Sequence, residues 1–218
     1  MLLYYITNRK NFAGTDEHQR EALLRRIADA ARAGVDYIQL REKDLSPLQF
    51  ERLACEAVRA VRDQSTTTKL LVNSRADVAL AAGTDGIHLP AGEIDASEVR
   101  ALWMHRSASQ PLIGVSAHST PDVRYAQAHG ADFAVLAPIF EKVQTGTPGI
   151  GLEALRTACA EAGGFAVVAL GGVTLSNAQA CIEAGAAGVA GIRLFQQGDV
   201  LETVRRLRAI QEQVNAGP

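Results

Sequence analysis

The chain has 218 residues, of which 47% are hydrophobic and 21% charged, with a formal net charge of −2. That balance is ordinary for one globular core and excludes a global attraction to nucleic acid or to an anionic membrane, so a functional cluster of cations has to be local. No apolar run approaches the ~20 residues of a membrane helix. The opening Met1–Thr7 is too short for a secretory leader and has no basic segment before it, so a cytoplasmic protein with no nucleic-acid and no membrane partner is expected.

Eight short apolar runs follow one another: Leu3–Thr7, Tyr37–Arg41, Lys69–Asn73, Gly86–Leu89, Leu112–Ser116, Phe133–Ala137, Ala166–Leu170 and Gly188–Ile192. Several are nearly continuous and β-branched, as strands buried on both faces are. Segments of helical period separate them, for example Leu23, Leu24, Ile27 and Ala31, or Phe50, Leu53, Ala54, Ala57 and Val58. Asp16, Ser46, Ser119 or Thr120, and Thr174 stand where helix N-caps are expected. A weak repeat, Ala-Gly-Val-Asp ending at Asp36, Ala-Gly-Thr-Asp at Asp85 and His-Gly-Ala-Asp at Asp132, recurs about every 50 residues, or two strand–helix units.

Strict alternation over residues 1–218 predicts a single-domain parallel (β/α)₈ TIM barrel. A doubly wound sheet would carry a glycine-rich turn after its first strand, and Thr7-Asn8-Arg9-Lys10-Asn11 is not one. The longest irregular stretch, 138–151, follows the sixth strand and reads as a binding loop. Cys55, Cys159 and Cys181 lack metal-ligand spacing and read as small buried apolar residues of a reduced protein.

In such a barrel, polar residues at strand C-termini are the functional candidates. Alternation aims Gln39, Arg41 and Lys43 into the mouth, where Arg and Lys suit a phosphate or pyrophosphate; the competing reading pairs these cations with Glu42 and Asp44. Asn73 can donate to a phosphate oxygen, ligate a metal, or cap a helix over 75–82. His88 reads as half-buried and hydrogen-bonded rather than as a metal ligand. Ser116 and His118 share parity at the end of the fifth strand, and His118 is the group suited to moving a proton. No acid is evident to make Ser116 a covalent nucleophile. Gly171, Gly172, Gly191 and Ile192 offer backbone N–H groups for a phosphate after strands seven and eight, with Arg193 beside them.

Taken in order, Tyr5-Ile6-Thr7, Gln39-Leu40-Arg41-Glu42-Lys43, Asn73-x-Arg75-x-Asp77-Val78-Ala79, Asp85-Gly86-Ile87-His88-Leu89, Ile113-Gly114-Val115-Ser116-x-His118, Gly130-Ala131-Asp132, Pro138-Ile139-Phe140 and Gly171-Gly172-Val173 resemble the thiamine phosphate synthase superfamily, which includes the TenI-type thiazole tautomerases. The resemblance spans nearly the whole chain. It implies the joining of a hydroxymethylpyrimidine pyrophosphate to a thiazole phosphate, assisted by Mg²⁺, in a homodimer. It implies that Gln39, Arg41, Lys43 and Asn73 hold the pyrophosphate, that Ser116 touches it or the pyrimidine, and that Gly172, Gly191 and Ile192 hold the thiazole phosphate. His118, Ser116, Lys43 and Arg41 are then the catalytic candidates.

Four departures from the family pattern stand out. Ser74 replaces an Asp that ligates Mg²⁺, which leaves Glu93 as the carboxylate for the metal. Pro90-Ala91 replace Gly-Gln. The Thr-x-Thr-Lys of the sixth loop becomes Glu141–Pro148, where Thr145 and Thr147 remain as substrate-binding candidates. Arg193 replaces a Ser. Weakening of the metal side leaves two alternatives to the synthase: a metal-independent TenI-type tautomerase working through His118, or a thiazole-phosphate binding protein without catalysis.

Overall fold

A computed structural model describes residues 1–141 and 146–216. Eight parallel strands close into a barrel in chain order, β1 (Leu2–Ile6), β2 (Tyr37–Leu40), β3 (Lys69–Asn73), β4 (Gly86–Leu89), β5 (Leu112–Ala117), β6 (Phe133–Leu136), β7 (Ala166–Ala169) and β8 (Gly188–Gly191), with β1 pairing β8. The helices between them are α1 (Asp16–Arg32), α2 (Pro47–Arg62), α3 (Ala76–Ala82), α4 (Ala96–Met104), α5 (Thr120–Ala128), α6 (Gly151–Glu161) and α7 (Ala178–Glu183); α8 (Arg193–Gln196) and α9 (Val200–Ala216) follow β8. The fold is the expected (β/α)₈ TIM barrel, and each strand lies within a residue or so of its apolar run.

Strand alternation divides the side chains into two layers. Tyr4, Ile6, Leu71, Phe133, Val135, Val168 and Ala190 fill the barrel interior. Leu3, Tyr5, Ile38, Leu40, Leu70 and Val72 face outward and pack beneath the helices. Trp103 belongs to this outer core, whereas Met104 is exposed.

The Ala-Gly-x-Asp repeat has a structural role. Gly34, Gly83 and Gly130 take the positive φ that ends a helix, and the following Asp turns back onto the preceding strand. Asp36 accepts from Leu3 N (2.7 Å), Asp85 from Leu70 N (2.9 Å) and Asp132 from Ile113 N (2.6 Å). Each odd strand from β1 to β5 is thus tied at its start to the strand that follows it. Opposite β7 the degenerate repeat has Ala187, which keeps only the backbone bonds that Asp36 and Asp85 also make, here from Leu2 N to Ala187 O and from Ala187 N to Val167 O.

Three expected caps differ. Thr15, not Asp16, caps α1, since the capping side chain belongs to the residue before the first helical turn. Residue 174 opens a turn whose carbonyl accepts from Asn177 and Ala178, so α7 begins only at Ala178. Asn73 caps nothing: α3 starts at Ala76, with Arg75 at the cap position and no side-chain cap bond. Ser46 and Ser119 cap α2 and α5 as expected.

Candidate functional site

The C-terminal ends of β2 to β5 form one half of the barrel mouth. Gln39 is buried at the inward face of β2, Arg41 follows the strand end directly, and Lys43 lies exposed in the turn beyond it. Neither cation forms an ion pair among the described residues. Glu42 and Asp44 are instead claimed by Arg9: Glu42 lies 3.6 Å from the Arg9 guanidinium, and Asp44 takes both of its terminal nitrogens. The pairing of Arg41 and Lys43 with their neighbouring acids is therefore overturned. Asp44 is held at about 2, first by its hydrogen bond to Arg9.

Beneath these cations runs a buried hydrogen-bonded chain. Gln39 Nε2 donates to Tyr4 Oη (2.9 Å), Tyr4 Oη lies 3.1 Å from His88 Nδ1, and His88 Nε2 lies 2.9 Å from Ser116 Oγ. One arrangement gives every donor an acceptor. Tyr4 accepts from Gln39 and donates to His88 Nδ1, and His88 Nε2–H donates to Ser116. Ser116 then keeps its own proton to offer into the mouth. Burial, with the charge of Arg41 adding to it, lowers the His88 pKa to about 3, so the imidazole is neutral. His88 is more enclosed than its sequence suggests, at 3% exposure.

A stability prediction follows from that shift. His88 titrates near its ordinary 6.5 in the unfolded chain and near 3 in the native state. The unfolded state therefore binds the extra proton between those values, and stability falls as pH drops from about 6.5 toward 3. In urea titrations between pH 6 and 5, wild type should lose stability faster than His88→Gln by up to about 1.4 kcal/mol per pH unit. Equal slopes would mean that His88 is not buried neutral.

Asn73 ends β3 at the mouth, and its side chain makes no hydrogen bond among the described residues. Beyond it, Ser74 is the one non-glycine described residue with positive φ (63°), and its Oγ donates to Glu93 Oε2 at 3.0 Å. The two positions that differ from the family's metal pattern therefore meet in space. Among the described residues no three His, Cys, Asp or Glu side chains converge to hold a metal ion. One carboxylate and one hydroxyl do not make a metal cage, but they fit a Mg²⁺ that keeps its waters and is carried by substrate phosphates.

The opposite half of the mouth is built from backbone. Gly172 has φ 66°, and a Cβ there would meet Phe140 Cβ at 2.7 Å, so the loop after β7 is packed onto the one after β6. Asn177 closes the turn by donating to Gly172 O (3.0 Å) and accepting from Thr174 N (2.8 Å). The N–H groups of Gly172 and Ile192 are absent from the hydrogen bonds that tie these loops down among the described residues. Gly191 ends β8, and Arg193 opens α8, exposed and without an ion pair among the described residues.

At β5, His118 Nδ1 lies 2.9 Å from the carbonyl of Ala137. A carbonyl only accepts, so Nδ1 carries the proton and a neutral His118 presents Nε2 as an acceptor. Thr147 is exposed in the segment between β6 and α6, and Thr145 lies outside the described residues. A cavity of about 1100 Å³ opens at the other end of the barrel, lined by Asp36, Lys69, Asp85 and Trp103 among others. Lys69 there pairs with Asp85 and Asp36 with Arg208, so its size does not mark the catalytic end.

Strand parity placed Gln39 on the inward face of β2. It did not find Tyr4 or the partnership of His88 with Ser116. The only available signal was a hydroxyl-bearing ring at an inward position of β1.

Fold and site together define a class, a (β/α)₈ barrel enzyme whose mouth opposes unpaired side-chain cations to a glycine-built loop pair. A family model described as thiamine monophosphate synthase matches residues 3–195. A putative thiamine-phosphate synthase 2 of Aquifex aeolicus is 38% identical over 194 residues, covering 88% of this chain and 96% of that protein. A thiamine-phosphate synthase of Methanoculleus marisnigri is 40% identical over 185 residues, covering 82% and 83%. Among solved structures, a thiamine phosphate pyrophosphorylase from Pyrococcus furiosus superposes with a TM-score of 0.80 at 27% identity, covering 98% and 96%. The chain belongs to the thiamine monophosphate synthase family, the transferases of thiamine biosynthesis.

Proposed function

We propose that this enzyme joins hydroxymethylpyrimidine pyrophosphate to a thiazole phosphate and releases pyrophosphate. One observation carries the reading: Arg41 and Lys43 stand at the mouth without any acidic partner among the described residues, although an acid follows each in sequence. Cations left unpaired at a barrel mouth are suited to an anionic leaving group. Asn73 and Gln39 supply neutral donors on the same side. Gly172, Gly191, Ile192 and Arg193 take the second phosphate, with Thr145 and Thr147 as further contacts.

The reaction then needs little covalent help from the protein. Pyrophosphate departs as its charge is met by Arg41 and Lys43, a pyrimidine cation forms, and the thiazole nitrogen attacks it. Ser116, with its proton directed outward by His88 and Tyr4, donates to the pyrimidine or the departing group. Glu93, beside Ser74, would hold Mg²⁺, which supplies further charge neutralisation on the pyrophosphate when bound. The same reading includes a homodimer, supported by exposed Leu102 and Met104 on α4, and a cytoplasmic setting. No helix among the described residues is long and apolar enough to cross a membrane.

Supplying both substrates and titrating Mg²⁺ tests the reading. Thiamine phosphate and pyrophosphate should form in equal amounts, with a metal optimum that shifts upward in Glu93→Gln. No product at any Mg²⁺ or Mn²⁺ concentration would end the proposal. The tautomerase alternative rests on the free Nε2 of His118, and its signature is metal-independent turnover of a thiazole carboxylate phosphate tautomer that His118→Ala abolishes.

A further inference from the structure

We infer that Arg9 is a positioning residue that keeps Glu42 and Asp44 away from the anion site, so that Arg41 and Lys43 stay available to the pyrophosphate. The inference rests on the proposed role of those two cations. In sequence the acids alternate with them, Arg41-Glu42-Lys43-Asp44. A free carboxylate within ion-pair distance of these cations would compete directly with a phosphate for them.

Strand parity begins the separation. Immediately past β2, Glu42 keeps the outward parity of Leu40 and is buried, while Arg41 keeps the inward parity of Gln39. Side-chain contacts complete it. Glu42 Oε1 accepts from Thr7 Oγ1 (2.7 Å), and its two oxygens accept from Arg9 N (3.1 and 2.9 Å). The Arg9 guanidinium lies 3.6 Å from Glu42, with the two side chains only 4% and 2% exposed. The same guanidinium forks onto both oxygens of Asp44. Thr7 closes the assembly by accepting from Arg41 N at 2.9 Å, which fixes the backbone from which the first cation projects. Arg9 itself is held by the short 3-10 turn Arg9–Asn11 after β1, whose cap is Asn8.

Lys10 also reaches Asp44, at 3.4 Å. Loss of the Arg9 side chain therefore acts chiefly on Asp44, which keeps only Lys10, since Glu42 retains its bonds from the Arg9 backbone N–H and from Thr7. A residue that only stabilises the fold would have a different mutational pattern. Removing the released carboxylate would not repair its loss, whereas here it should.

The test measures binding of inorganic pyrophosphate with Mg²⁺ by calorimetry, together with steady-state KM values for both substrates. Arg9→Met should weaken pyrophosphate binding by about tenfold, the scale expected when support behind a ligand is lost. The KM for the thiazole phosphate should not change. Arg9→Met/Asp44→Asn should return pyrophosphate affinity to within about twofold of wild type, because the competing charge is gone. Where Arg9→Met does not fold, Arg9→Lys with and without Asp44→Asn carries the same comparison, since Lys keeps a charge but not the fork. Wild-type affinity in the Arg9 variant, or a double variant as weak as the single, would overturn the inference. Arg41→Ala is measured alongside. If it binds pyrophosphate as wild type does, the underlying assignment of the anion site is wrong; if it loses binding while Arg9→Met does not, only the role of Arg9 is.

Discussion

Arg41→Ala should lower kcat/KM for the pyrophosphate-bearing substrate by about 10²–10³, the loss that follows removal of one donor aimed at developing charge. The expectation rests on three features of the site. Arg41 follows directly on β2 and its guanidinium has no acidic partner among the described residues, so its removal breaks no internal ion pair. Its charge is felt at His88, in the buried chain ending at Ser116. Its backbone is pinned by Thr7, so truncation leaves the strand end in place. The thermal midpoint should therefore stay close to wild type while turnover collapses. Arg41→Lys should recover only part of the loss, because a point charge cannot reproduce a planar fork on phosphate oxygens. An Arg41→Ala enzyme with ordinary turnover would remove Arg41 from the mechanism.

The second large effect concerns stability. Gly86→Ala should destabilise the barrel by about 3 kcal/mol or more, beyond the usual range for overpacking. Gly86 starts β4 opposite Leu112 of β5. An added Cβ would lie 1.9 Å from the Leu112 carbonyl oxygen and 2.7 Å from its carbonyl carbon and nitrogen. These are backbone atoms of a paired strand, so no rotamer change relieves the contact. At this chain length the thermal midpoint should fall by roughly 6–12 °C. Gly34→Ala is the control: it meets nothing within 4 Å and carries only the strain of φ 89°. That strain costs about 1–2 kcal/mol. Equal destabilisation of the two variants would contradict the β4–β5 register.

The barrel was legible in the sequence because a strand buried on both faces leaves a short continuous apolar run, and eight such runs alternate with helical periods. The inward aim of Gln39 was legible for a related reason, since the period of two sets which strand side chains enter the barrel. What escaped were partnerships across long sequence separations. Nothing local says that Glu42 belongs to Arg9 and Thr7, which come more than thirty residues earlier, rather than to the cations beside it. His88 showed itself as a polar residue at a strand end, but its burial and its links to Tyr4 and Ser116 exist only once β1, β4 and β5 close round one axis. The helix starts missed by a residue or a turn where several capping types stand together, as at Thr15-Asp16 and Thr174–Asn177. The departures from the family pattern looked like losses when read singly. Ser74 and Glu93 turn out to be hydrogen-bonded neighbours, so these two departures lie together rather than scattered.

The most direct measurement is a crystal structure of the enzyme with saturating Mg²⁺ and pyrophosphate. The expected density is a pyrophosphate held by Arg41, Lys43 and Asn73, with the metal on Glu93 beside Ser74. A pyrophosphate found only against Gly172 and Arg193, with the β2–β3 side of the mouth empty, would contradict the assignment.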